Sequence, residues 1–126
     1  MIIDSDVLIW YSRAHPKAIE LIHGLDSFSI SVITYMEIVQ GVRNKTELNA
    51  FKKALLVLNV DVIQINERIS NQAMSFVEQY ALSHAMQLAD ALIGATAIVQ
   101  QKTLVTANDK HYHYLPNIKL QKFEVS

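Results

Sequence analysis

Met1-Ile2-Ile3-Asp4-Ser5-Asp6-Val7-Leu8-Ile9-Trp10 opens the chain. Met1 to Asp4 reads as a short buried strand ending at a carboxylate, and Val7 to Arg13 as the helix that follows. The same alternation recurs downstream. Pro16 suits the first turn of a second helix, with Ala18, Leu21 and Ile22 as its apolar positions up to Gly24. Phe28 to Ile30 forms a second strand. Ser31 is placed to cap a helix that stops near Gly41. Thr46 opens a helix running to about Leu58. Val60, Val62, Ile63 and Ile65 mark a third strand. Asn66 then caps a helix to about Leu82, and Met86 to Gln101 is the most hydrophobic helix. Thr103 to Thr106 gives a fourth strand and Ile118 to Leu120 a fifth. Strands separated by helices imply an α/β fold, a parallel sheet with helices on both faces. The polar stretch from Asn108 to Pro116 is a loop within one domain spanning residues 1–126.

Composition narrows the function classes. The 126 residues suffice for one core, and 51% are hydrophobic with only three Gly and two Pro, which excludes disorder. A net charge of −1 carries no global signal for nucleic acid, so any RNA contact must come from a local patch. No cysteine is present, which excludes disulfides and thiolate-held zinc or iron–sulfur centres and fits a reducing cytoplasm, the location expected. The N-terminus lacks the pattern of a signal peptide, and no unbroken apolar run reaches about 18 residues, so no membrane association is expected.

The chemistry is carried by acids stranded in apolar surroundings. Asp90 is the only formally charged residue between Glu78 and Lys102. It interrupts Leu88-Ala89-Asp90-Ala91-Leu92-Ile93-Gly94-Ala95-Thr96-Ala97, otherwise a buried-helix pattern. Asp4 and Asp6 interrupt the opening strand and helix, and Glu37 lies within Ile33-Thr34-Tyr35-Met36-Glu37-Ile38-Val39. A bare carboxylate in such a setting must be neutralised, paired or metal-bound. Two carboxylates about 4 Å apart repel by about 4 kcal/mol at an effective dielectric of about 20. One shared divalent cation with oxygen ligands, Mg²⁺ or Mn²⁺, explains the acids together. Such a site activates water and polarises phosphoryl oxygens, which suits phosphodiester hydrolysis. Ligands of open α/β sheets gather beyond the carboxyl ends of the strands, where Asp4, Thr106, Asn108 and Asp109 are expected.

Four blocks carry a family resemblance. They are Ile3-Asp4-Ser5-Asp6-Val7-Leu8-Ile9, Ser31-Val32-Ile33-Thr34-Tyr35-Met36-Glu37-Ile38-Val39-Gln40-Gly41, Ala89 to Ala97, and Leu104-Val105-Thr106-Ala107-Asn108-Asp109-Lys110-His111-Tyr112. In this order and spacing they resemble the PIN domain, specifically VapC-type toxin ribonucleases of bacterial toxin–antitoxin pairs, over nearly the full length. The resemblance implies a PIN-like three-layer α/β/α sandwich with a short, mainly parallel four- to five-stranded sheet. It implies that Asp4, Glu37 and Asp90 are acidic metal ligands. The fourth ligand it implies is Asp109, the acid here, with Asn108 the alternative occupant of the aligned position. Asp6 departs from the pattern, where Asn is commoner. It is either part of the metal shell or the N-cap of the helix at Val7. The resemblance further implies an Mg²⁺- or Mn²⁺-dependent endoribonuclease acting on tRNA or ribosomal RNA, a homodimer, and inhibition by a cognate VapB-type antitoxin.

Other signals have plainer explanations beside the functional ones. Ser5, Thr34 and Thr106 either orient carboxylates and waters or serve as ordinary caps and turns. His111 and His113 are a solvated loop more readily than a zinc site. Tyr112 and Tyr114 offer base stacking or core packing at the loop base. Arg43, Lys45, Lys52, Lys53 and Lys110 are phosphate contacts or a solvated face. Met74, Phe76, Val77 and Tyr80 form a core or dimer stripe. Asp4-Ser5-Asp6 after a hydrophobic strand also resembles the opening motif of haloacid-dehalogenase phosphatases, though the expected downstream acidic pair and cap domain are missing. A non-catalytic RNA- or partner-binding PIN-like scaffold is the remaining alternative.

Overall fold

The computed structural model describes all 126 residues. In chain order the elements are β1 (Ile2–Ile3), α1 (Ser5–Ser12), α2 (Pro16–His23), β2 (Phe28–Ser31), α3 (Val32–Gly41), α4 (Lys45–Val57), β3 (Val60–Ile63), α5 (Glu67–His84), α6 (Leu88–Val99), β4 (Leu104–Thr106) and β5 (Leu120–Lys122). A short 3₁₀ turn at Asp109–His111 sits between β4 and β5. The five strands form one sheet in the order β3-β2-β1-β4-β5, and every pairing is parallel.

Side-chain alternation explains why the strands read as unbroken apolar runs. Successive strand residues point to opposite faces, and here both faces are covered. Ile2 and Leu104 join a core with Ile69, Phe76 and Ile93 from α5 and α6. Their neighbours Ile3 and Val105 join a second core with Val7, Ile22 and Phe28 on the opposite face. α5 packs most extensively on α6. Phe76 is 1% exposed, and Val77 and Tyr80 pack against the same core, while Met74 is exposed.

Caps set most of the helix starts. Ser31 Oγ accepts from Ile33 N at 3.1 Å, and Asn66 Oδ1 from Ile69 N at 2.9 Å, as expected of those residues. Asn44 rather than Thr46 starts α4, its Oδ1 accepting from Glu47 N at 2.9 Å. Asp4, not Asp6, is the N-cap of α1: its Oδ1 accepts from Ser5 N at 2.8 Å, so the helix begins two residues earlier than the apolar pattern suggests. The last strand lies two residues later than expected. Leu104 N donates to Lys119 O and Phe123 N to Thr106 O, which fixes Leu104 opposite Leu120 and Thr106 opposite Lys122. Ile118 is spent instead on packing against the α5–α6 core.

The strand order places the site. From β1 the chain runs outward to β2 and β3, then returns to the other flank with β4 and β5. The direction reverses between β1 and β4, and the crevice beyond their carboxyl ends is where open α/β sheets bind ligands. Asp4 follows β1 directly, and Thr106 ends β4.

Candidate active site at the β1–β4 switch point

Four carboxylates reach this crevice from three elements. Asp4 and Asp6 come from the β1–α1 junction, Glu37 from α3 and Asp90 from the first turn of α6. Asp4 is 5% exposed. Its Oδ2 accepts two hydroxyl donors, Thr106 Oγ1 at 2.9 Å and Tyr112 Oη at 3.0 Å. The Tyr112 hydroxyl also lies 3.3 Å from Asp90 Oδ1, so one oxygen joins acids 86 positions apart. Asp90 has one further neighbour of note, His111, whose Nδ1 lies 3.4 Å from Oδ2.

Asp6 is bound differently. Its Oδ2 accepts from Ala107 N at 3.0 Å, Asn108 Nδ2 at 2.8 Å and Thr106 Oγ1 at 3.3 Å, while Oδ1 accepts from Val7 N at 2.8 Å. It therefore laces the first turn of α1 to the loop after β4. Asn108 N returns to Thr106 Oγ1 at 3.1 Å, which closes the loop. Asp109 lies at the start of the 3₁₀ turn with Lys122 Nζ 4.0 Å away. The structure thus ties Asn108 to the acid group through Asp6 and sets Asp109 beside a lysine.

The electrostatics agree with crowding. The Asp6 carboxyl is pushed above the ordinary range by burial first and then by the field of Asp4. Glu37 reaches the mouth from the exposed side of α3. Its carboxyl is raised by partial enclosure and then by Asp4, opposed by a Ser5 hydrogen bond and raised further by Asp90 and Asp6. Asp90 is raised by burial, opposed by His111, and raised again by Asp4. Burial and the fields of Asp4 and Asp90 push the Tyr112 phenol far upward, so it stays a neutral donor. No Lys or Arg forms an ion pair with Asp4, Asp6, Glu37 or Asp90.

Two features of the site were less evident in sequence. Tyr112 is 1% exposed, and its ring belongs to the α5–α6 core while its hydroxyl reaches the acids. Gly94 packs beneath this loop: a Cβ there would crowd Leu115 Cδ1 at 2.7 Å, while Tyr112 Cδ1 would stand at an ordinary contact distance of 3.5 Å. Thr34, one turn before Glu37, is fully buried, and its hydroxyl has no hydrogen-bond partner. His113 stacks edge-on against Tyr114, away from His111's contact with Asp90. Arg43 is 84% exposed at its side chain and pairs with Glu47.

The chain matches the PIN domain family model over residues 1–116. It belongs to the PIN domain family. This PIN domain is 28% identical to ribonuclease VapC19 of Mycobacterium tuberculosis, over 94% of this chain and 96% of that protein. It is 29% identical to ribonuclease VapC10 of the same organism, over 94% and 90%. Its fold is that of DNA-bound VapBC from Salmonella typhimurium, with a TM-score of 0.81 at 16% identity over 96% of each chain. The family match leaves the phosphatase reading of Asp4-Ser5-Asp6 without support. No helix of this PIN domain is long and apolar enough to cross a membrane.

Proposed function

We propose that this PIN domain is a divalent-metal-dependent endoribonuclease of the VapC type, the toxin of a toxin–antitoxin pair. The observation that carries the reading is a group of part-buried acids, raised by burial and then by neighbouring carboxylates and without a Lys or Arg among them, at the sheet's switch point. The names of its relatives, all ribonucleases, support the reaction.

The donor set suits Mg²⁺ or Mn²⁺. It consists of hard oxygens, with carboxylates that repel in the absence of a cation. No three Asp, Glu or His side chains stand close enough to form a ready cage. Mg²⁺ usually keeps several waters and is bound through only one or two carboxylates. Asp4, Glu37 and Asp90 would hold it. Asp109, drawn toward Lys122, is the weaker candidate for a fourth donor, and Asn108 competes with it through its tie to Asp6. When bound, the ion supplies Lewis acidity toward a phosphoryl oxygen and a more acidic water.

The chain's own residues do the rest. Thr106 and Tyr112 orient Asp4, and Ser5 N fixes the second Asp4 oxygen. Asp6 holds the loop after β4 so that Thr106 keeps its place. His111 lies on the rim beside Asp90, with its side chain 56% exposed. We further propose tRNA or ribosomal RNA as substrate, a homodimeric toxin, and a VapB-type antitoxin that covers the acidic mouth. Charge complementarity favours a basic group on that partner.

Total tRNA and ribosomal RNA incubated with purified protein and Mg²⁺ or Mn²⁺ test the reading. Cuts that vanish with EDTA and with Asp90→Asn support it. Equal cutting by the variant sinks it.

A further inference from the structure

Tyr112 has a hydroxyl that its packing does not need. The ring sits in the core against α6, where Gly94 and Leu115 receive it, and a phenylalanine ring would fill the same space. A buried hydroxyl costs free energy unless it has partners. This one has two, and both are acids of the proposed site: Asp4 Oδ2 at 3.0 Å and Asp90 Oδ1 at 3.3 Å. They belong to different elements, the β1–α1 junction and α6.

The two acids depend on it unequally. Asp4 is also held by Thr106 Oγ1 and by Ser5 N. The only other group on Asp90 is His111, whose side chain is 56% exposed and 3.4 Å away. The Tyr112 hydroxyl is thus the one buried tether on the Asp90 carboxylate.

We infer that Tyr112 is a positioning residue: its O–H ties Asp4 to Asp90 and sets the spacing at which the pair receives a divalent cation. The inference rests on the metal-dependent reading above. It assigns Tyr112 no role in touching RNA or the reacting atoms. Partners that orient metal ligands are worth about 10- to 100-fold in affinity when removed.

Calorimetric titration with Mn²⁺ alone, on wild type and Tyr112→Phe, tests it, with folding checked by circular dichroism. The expected result is Mn²⁺ affinity lower by about 10-fold in the variant. In RNA cleavage kcat falls while KM is unchanged, because the substrate surface is untouched. Wild-type Mn²⁺ affinity in a folded Tyr112→Phe overturns the inference and leaves the nuclease reading standing. Absence of Mn²⁺ binding by wild type overturns both. A second measurement needs no variant. Of the five tyrosines, only Tyr112 hydrogen-bonds to carboxylates. Mn²⁺ should therefore give the wild type a tyrosine ultraviolet difference band, and a flat difference spectrum at saturating Mn²⁺ overturns the inference.

Discussion

Carboxylates occupy two opposite settings in this molecule. At the start of α4, Glu47 is solvated and met on both oxygens. Arg43 N donates to Oε1 at 2.8 Å, and the Arg43 guanidinium donates twice to Oε2 at 3.0 and 2.7 Å. Those bonds hold its carboxyl below the usual range. At the β1–β4 crevice, Asp6, Glu37 and Asp90 are all raised, by burial first and then by neighbouring charge. Glu47 is an acid in the service of a helix start. The crevice acids receive hydroxyls, amides and one exposed imidazole, but no Lys or Arg. Hydroxyls orient a carboxylate without neutralising it, which leaves the charge for something that arrives from outside.

The largest effect expected of breaking this contrast is on catalysis. Asp4→Asn and Asp90→Asn should each lower RNA cleavage by more than about 100-fold, beyond the range for outer partners of a metal site. Asparagine caps helices as well as aspartate does, so Asp4→Asn keeps the start of α1, but its amide nitrogen cannot accept from Thr106 and Tyr112 as Oδ2 does. Glu37→Gln, on an acid that reaches the mouth from the exposed side of α3, should cost less than either, in the same assay. Asp109→Asn, on an acid already beside Lys122, should cost less than about 10-fold, measured in the same assay. A loss at Asp109 equal to that at Asp90 would mean that the turn at Asp109–His111 swings inward during the reaction.

Stability should move in the other direction. Asp90→Asn removes a crowded charge but keeps an acceptor for Tyr112. In EDTA it should melt above wild type, by about 1 kcal/mol. Sign and window follow from the raised carboxyls. A folded-state pKa above the unfolded one makes the native state bind more protons between the two values, so stability falls as pH rises through that window. The gap between Asp90→Asn and wild type should therefore widen from below the usual carboxylate range to neutral pH. Melts with and without Mg²⁺ complete the test: the ion should stabilise wild type and leave the variant unmoved.

A smaller effect is expected at Gly94. Gly94→Ala places a methyl 2.7 Å from Leu115 Cδ1, and overpacking of this kind costs about 1–3 kcal/mol, partly offset by about 1 kcal/mol of helix propensity. Chemical denaturation should show the net loss, with cleavage little changed because the methyl meets Tyr112 Cδ1 at an ordinary 3.5 Å. The smallest effect is at the outer pair. Glu47→Ala should leave cleavage unchanged and shift melting less than any crevice variant, since the Arg43 partner is almost fully solvated.

Sequence showed more of the fold than of the site's interior. Strands buried on both faces are legible as apolar runs, and Ser31 and Asn66 announce their helices. Asp90 stands out because its segment has no other charge. The strand order was not legible, since Ile2, Phe28 and Leu104 look alike as strand residues whichever neighbours they take. The register of β5 was missed because Ile118 is as apolar as Leu120, and only the ladder with β4 decides between them. Local pattern offers Tyr112 for base stacking or for core packing at the loop base, the commoner role. Its ring takes the packing role, but its hydroxyl meets an acid 108 positions away, a contact no local pattern encodes. Asp6 was open between metal shell and helix cap. Its oxygens are taken up by Val7 N and the loop after β4, a lacing that depends on β1 lying beside β4.

The crevice acids lack a basic partner, and on the proposed reading a divalent cation completes them. Calorimetric titration of Mn²⁺ into wild type and Asp90→Asn tests it most directly. Saturable binding to wild type that is lost in the variant is the expected result. Equal binding by both, or none by wild type, would contradict it.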